Sequence, residues 1–203
     1  MLGGVWRGLV FAGGTSRRMG RDKALLPLGG ATLLERSVAL VRAAGGEALV
    51  VAPPRPGYAA AGAPVIDDTA EGGGVTGPLG ALRHGLRLEG AERVVVVACD
   101  LPLLPAELLR LLAAEAQRYD AVVPRAGGEL QVLAAAYTPA CLPAIEAHLL
   151  SGRRSVHGFL ERVRVRILEE TDLSPFGGAG IFLNVNSPED LRRAEAILAR
   201  RTP

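Results

Sequence analysis

Four consecutive valines, Val94 to Val97, run on through Ala98-Cys99 to Asp100 and set the tightest limit on what this chain can fold into. A β-branched run with no polar position cannot keep one face in water. It reads as the central strand of a parallel sheet, covered on both sides by helices. Asp100 then stands at the carboxyl end of that strand, where open α/β sheets bind their ligands. Two roles suit it. Beside phosphates it would hold Mg²⁺, which takes one or two carboxylates plus phosphate oxygens and water. Before Leu101-Pro102 it would equally serve as an N-cap for the next helix, which Pro102 and Pro105 open and whose Leu108, Leu109 and Leu112 face inward. The residues leave both roles open.

A second apolar run, Val5 to Phe11, ends in Ala12-Gly13-Gly14 and then in a basic segment. The seven residues from Arg17 to Lys23 carry four positive charges and one negative. Gly13 and Gly14 permit positive φ and a close approach of backbone N–H groups. Such a turn forms an anion-binding concavity, to which a following helix N-terminus adds its dipole. A solvated turn with surface arginines is the competing reading. The strand before it, the paired glycines in it, and Arg18 and Lys23 beyond it favour a triphosphate cradle. It is neither a Walker A motif nor G-x-G-x-x-G.

The rest of the chain reads as one α/β domain over residues 1–203, with a nucleotide-binding half to about 125 and an acceptor half from about 126. Thr32 to Glu35 has capping-box spacing, opening a helix that Gly45-Gly46 ends. Strands are expected at Ala48 to Ala52, Pro64 to Asp67, Asp120 to Pro124 and Leu130 to Tyr137. Helices are expected from Leu79 and over Pro139 to Leu150. Val163, Val165 and Ile167 alternate with arginines, the pattern of a half-exposed edge strand. Ile181 to Val185 reads as a last strand, after which Ser187-Pro188 starts a terminal helix.

Several function classes drop out. A net charge of +2 and 4% aromatics argue against nucleic acid. Arg7 interrupts the only early apolar stretch and no 18-residue apolar span follows, so neither a signal peptide nor a membrane span is expected, and the setting reads as cytoplasmic. Cys99 and Cys141 read as buried thiols without zinc spacing. His84, His148 and His157 form no cluster. Asp67 and Asp68 end a second strand and would suit a metal or a base. Asn184 and Asn186 flank Val185, so both amides would face one polar ligand, although turn chemistry before Ser187 explains them as well. Arg153-Arg154 would meet an anionic acceptor or simply line a solvated turn.

Phe11-Ala12-Gly13-Gly14, Ser16, Arg18-Met19-Gly20 and Asp22-Lys23 resemble the signature of nucleotidyltransferases with a Rossmann-like α/β fold. Gly77-Pro78-Leu79, Cys99-Asp100-Leu101-Pro102 and Phe182-Leu183-Asn184-Val185-Asn186-Ser187-Pro188-Glu189-Asp190 narrow the resemblance to the molybdenum cofactor guanylyltransferase family (the MobA type). It spans Gly8 to about Leu198. It implies GMP transfer from Mg·GTP to the phosphate of molybdenum-molybdopterin, giving the guanine dinucleotide cofactor and pyrophosphate. Phe11, Ala12, Gly13 and Gly14 would then lie against the nucleotide, Arg18 and Lys23 on its phosphates, and Asp68 near the guanosine. Asp100 would be the Mg²⁺ ligand, and Asn184 and Asn186 would lie on the pterin side. A molybdenum-insertion protein and apo-molybdoenzymes are the implied protein partners. The second glycine, Gly14, resembles the GTP-using branch, since cytidylyl-transferring relatives usually carry Ala-Ala-Gly. Two departures stand out: Phe11 where leucine is commoner, and Val132-Leu133 after Gln131 where relatives commonly have proline and leucine. A molybdopterin cytidylyltransferase, a sugar-1-phosphate nucleotidyltransferase and a non-catalytic GTP-binding regulator are the competing readings.

Overall fold

The computed structural model describes residues 6–12, 22–67, 77–90 and 92–201. The apolar runs become the strands of one sheet. In chain order they are β1 (Arg7–Phe11), β4 (Glu47–Val51), β5 (Val65–Ile66), β6 (Val94–Ala98), β7 (Ala121–Ala126), β8 (Glu129–Leu130), β9 (Ala134–Tyr137) and β10 (Val165–Leu168), while β2 (Pro27–Leu28) and β3 (Ala31–Thr32) make a separate small hairpin. The sheet order is β10-β7-β9-β6-β1-β4-β5, with β8 paired to β7. β1 runs parallel to both β4 and β6, and the β4–β5 and β7–β10 pairs are parallel too. β9 alone on that path runs antiparallel, between β6 and β7. β6 is interior and all five of its residues are buried, as four valines in a row require.

Helices α1 (Leu33–Ala43) and α3 (Ala106–Glu115) cover one face, and α2 (Pro78–Arg87) and α4 (Leu142–Leu150) the other. The two-residue period of a strand divides β6 between them: Val95 and Val97 pack with Val38, Val41, Leu108 and Leu112, whereas Val94 and Val96 pack with Leu82, Leu86, Ile145 and Phe159. α1 starts with the expected capping box, Thr32 with Glu35. Two glycines let the helices close on β1. A Cβ at Gly8 would run into the γ-methyls of Val41 on α1, and one at Gly85 on α2 would run into a δ-methyl of Leu9.

A third, smaller core forms at the carboxyl end of the sheet, where α5 (Glu170–Leu173) and α6 (Pro188–Arg201) complete the chain. Leu28 and Leu33 meet Leu103, Val185 and Ala194, with Leu191, Ile197 and Leu198 of α6 packed around them. This cluster presses the start of α6 against the β2–β3 hairpin. No described helix is long and apolar enough to cross a membrane.

Two expected strands differ. The Leu130-to-Tyr137 stretch is broken by a turn at 131–133: Gln131 N–H donates to Pro124 and Ala134 N–H to Gln131, while the Leu133 carbonyl accepts from Ala98 N–H at 2.8 Å. Both β8 and β9 pair with β7, and the turn absorbs the extra residues between them. Val132 is buried there and its carbonyl accepts from the Tyr137 hydroxyl. Ile181 to Val185 is not a strand. Residues Gly178–Phe182 form a 3-10 helix, Ile181 and Phe182 turn into the α1/α3 core, and Val185 N–H donates to the Asp100 carbonyl instead of to a ladder.

Replacing Gly8 by alanine should destabilise the protein by about 1–3 kcal/mol, because a methyl must displace the stiff, β-branched Val41. Chemical denaturation checks this. The loss should shrink in a Val41→Ala background, where the obstructing methyls are gone.

Candidate active site

The end of β6 and the segment before α6 meet at one ammonium group. Lys23 opens a 3-10 helix, Lys23–Leu25, whose cap is Asp22: its Oδ1 accepts from Ala24 N–H at 3.1 Å. From there Lys23 Nζ donates to Asp100 Oδ2 at 2.8 Å and to Asn186 Oδ1 at 2.7 Å. The Lys23 and Asp100 side chains are only 18% and 21% exposed, so water screens the pair weakly. Contacts of this kind are charge-assisted and roughly twice as strong as neutral ones.

Asn186 is held by its own local chemistry. The bond from Val185 N–H to the Asp100 carbonyl, 2.9 Å, docks the two segments backbone to backbone. Val185 is buried in the third core, and Asn184 and Asn186 on either side of it are exposed. Asp190 then accepts from Asn186 N–H at 3.0 Å, from Ser187 N–H at 2.9 Å and from the Ser187 hydroxyl at 2.9 Å. These bonds, the one from Asn186 N–H foremost, hold its carboxyl below the usual carboxylate range. Ser187 Oγ in turn accepts from Asp190 N–H, a reciprocal cap that fixes the start of α6.

Phe11 is half-buried at the end of β1 and its carbonyl accepts from Cys99 N–H at 3.1 Å, while the buried Ala12 donates its N–H to Val51 at 3.3 Å. Lys23, Asp100 and Asn186 are therefore brought together, and Asn184 lies two residues before Asn186. Gly13, Gly14, Arg18 and Asp68 lie outside the described residues; Asp67, just after β5, is half-buried. The N-cap reading of Asp100 is corrected: the cap of α3 is Pro105, five residues on, without a side-chain bond. Burial, then the Asp100 charge, pushes the Cys99 thiol up to about 12, so it takes no part as a thiolate.

Two residues of this neighbourhood, Tyr58 and Arg55, carried no signal of their own. Tyr58, Arg55 and Asp22 form a cluster behind Lys23: Arg55 pairs with Asp22 Oδ2 at 2.9 Å, and the Tyr58 hydroxyl reaches the same oxygen at 2.9 Å. Asp22 stands out in sequence as the one acid in a basic run and, beside Lys23, as part of the family signature. Tyr58 has neither motif nor periodicity around it, and its partner is 36 residues away.

Comparison with known proteins puts this mostly parallel sheet among the nucleotidyltransferases. Residues 8–167 match the family model described as the MobA-like NTP transferase domain. The chain is 37% identical to the molybdenum cofactor guanylyltransferase of Rhizobium meliloti, over 94% of this chain and 90% of that one. It is 36% identical to that of Rhodobacter capsulatus, over 97% and 98% respectively. Among solved structures, the molybdopterin-guanine dinucleotide biosynthesis protein A of Archaeoglobus fulgidus superposes with a TM-score of 0.80 at 27% identity, over 96% of this chain and 99% of that one. The chain belongs to the MobA-like molybdenum cofactor guanylyltransferase family, and it is an enzyme of the nucleotidyltransferase type.

Native protein at pH 8 should resist alkylation by iodoacetamide at both Cys99 and Cys141, since burial pushes each thiol up to about 12 and leaves only about one molecule in 10⁴ as thiolate. Mass spectrometry should find both labelled after denaturation; rapid labelling of the folded protein would contradict the buried placement.

Proposed function

We propose that the protein transfers GMP from Mg·GTP to the terminal phosphate of molybdenum-molybdopterin, releasing pyrophosphate, and that it does so in the cytoplasm. The observation that carries this reading is the position of Lys23 between Asp100 and Asn186. One ammonium touches both the acid at the sheet's carboxyl end and the segment assigned to the acceptor. The names of the relatives support guanine and molybdopterin as the two substrates.

An oxygen of the acceptor phosphate attacks the α-phosphorus of GTP, and the bond from that phosphorus to the bridging oxygen of the β-phosphate breaks. The attacking phosphate is already anionic at pH 7, so no general base is required. The work left to the chain is alignment and charge neutralisation. Lys23, joined by Arg18, would hold the triphosphate, with Phe11, Ala12, Gly13 and Gly14 against the nucleotide and Asp68 near the guanosine. Asn184 and Asn186 would orient the acceptor. Asp100 supplies the donor type a Mg²⁺ ion takes, since a hard cation prefers carboxylate oxygens together with phosphate oxygens and water; its Oδ2 is engaged by Lys23 Nζ at 2.8 Å, a bond the ion would replace. Asp100 would hold the ion, and the ion when bound supplies neutralisation of the triphosphate.

Pyrophosphate release with molybdopterin-loaded acceptor, compared across GTP, CTP, ATP and UTP, tests the reading. GTP should be preferred; use of CTP in its place would overturn the guanine assignment, and binding of GTP without release under any acceptor would leave a regulator. Asp100→Asn should lower turnover by about 10²–10³-fold, far more than the few degrees of melting temperature lost with its Lys23 partner would explain, while circular dichroism stays native. Wild-type turnover in that variant would remove Asp100 from the chemistry.

A further inference from the structure

Ala12 and Asp22 flank segment 13–21, and one buried hydroxyl reaches both. Tyr58 Oη lies 3.0 Å from the Ala12 carbonyl, 2.9 Å from Asp22 Oδ2 and 3.2 Å from Asp22 Oδ1. A phenol has one proton and all three neighbours are acceptors, so the proton is shared in a multi-centre bond, the stronger share going to the carboxylate. Burial and the Asp22 bond hold the phenol above its ordinary range, which keeps it a donor at any physiological pH.

The rest of the segment after β4 is arranged to the same end. Arg55 supplies the countercharge to Asp22 at 2.9 Å. Gly57 has φ +91°, a left-handed turn that feeds the chain into the 3-10 helix Tyr58–Ala61, and a Cβ there would touch Leu25. Arg55, Gly57 and Tyr58 thus bear on residues 22–25 from one side. Asp22 in turn caps the helix that begins at Lys23. The Tyr58 ring is 1% exposed within the α1/α3 core, so the hydroxyl is anchored to the body of the protein.

We propose that Tyr58 is a positioning residue for the triphosphate end of the site: its hydroxyl ties Ala12 to Asp22, and through Asp22 it sets the point from which Lys23 reaches Asp100 and Asn186. The inference rests on the functional reading above in taking Lys23 as a phosphate-binding group. Tyr58 touches no substrate itself.

Tyr58→Phe keeps the ring and removes only the hydroxyl. Tyr137→Phe is the matched control, because it too loses a buried hydroxyl bond, to the Val132 carbonyl at 2.8 Å, but on the opposite face of the sheet. Calorimetric titration with Mg·GTP should give about tenfold weaker binding for Tyr58→Phe and unchanged binding for Tyr137→Phe, although both variants melt a little earlier. Without nucleotide, hydrogen exchange in peptides covering residues 22–26 should quicken in Tyr58→Phe and stay at wild-type rates in Tyr137→Phe. A Tyr58→Phe variant that binds within about twofold of wild type, with unaltered exchange at 22–26, overturns this proposal alone. Wild-type protein that binds none of the four nucleoside triphosphates overturns the functional reading, and this proposal with it.

Discussion

The Lys23 ammonium, set between a carboxylate and an amide oxygen, is the interaction on which the rest of the site depends. It joins three parts of the chain that are distant in sequence: the 3-10 helix Lys23–Leu25, the end of β6 and the approach to α6. Both charged partners are about four-fifths withdrawn from water, so each needs the other. Removing one partner of such a pair leaves a desolvated charge and costs more than the pair itself contributes. The arrangement is therefore held in place by what it would cost to disturb.

Each contributor reaches this point by a different physical route. Asp100 is delivered by hydrophobic burial, since β6 has no polar side chain and can sit only inside the sheet. Lys23 is delivered by hydrogen bonding, through the Asp22 cap and the Tyr58 and Arg55 groups behind it. Asn186 is delivered by a small core of its own, in which Val185 and Ala194 pack on Leu28, Leu33 and Leu103. Glycines at 8 and 85 allow the covering helices to approach β1 closely.

Periodicity and capping made much of the scaffold readable in advance. The buried β6, the edge strand β10, the Thr32–Glu35 box and the terminal helix all follow from local patterns that the tertiary structure reinforces. Ile181 to Val185 misled because its apolar side chains are buried as a strand's would be, yet its backbone finds partners outside the sheet. Asp100 remained ambiguous in sequence for a similar reason: an acid two residues before a proline suits a cap as well as a metal, and the start of α3 at Ala106 removes the cap. The Tyr58–Asp22–Arg55 cluster could not be read at all, because it depends on a fold-level meeting of residues with no spacing rule between them. Family resemblance added an expectation that spacing could not, that Asn184 and Asn186 lie on the acceptor side.

The coupling between Lys23 and Asp100, measured by a double-mutant cycle with Lys23→Met and Asp100→Asn in urea denaturation, tests this account most directly. A buried, charge-assisted pair predicts non-additivity of about 1 kcal/mol or more. Single and double variants that add within about 0.3 kcal/mol would mean the two groups do not interact in solution, and the ammonium-centred site would be contradicted.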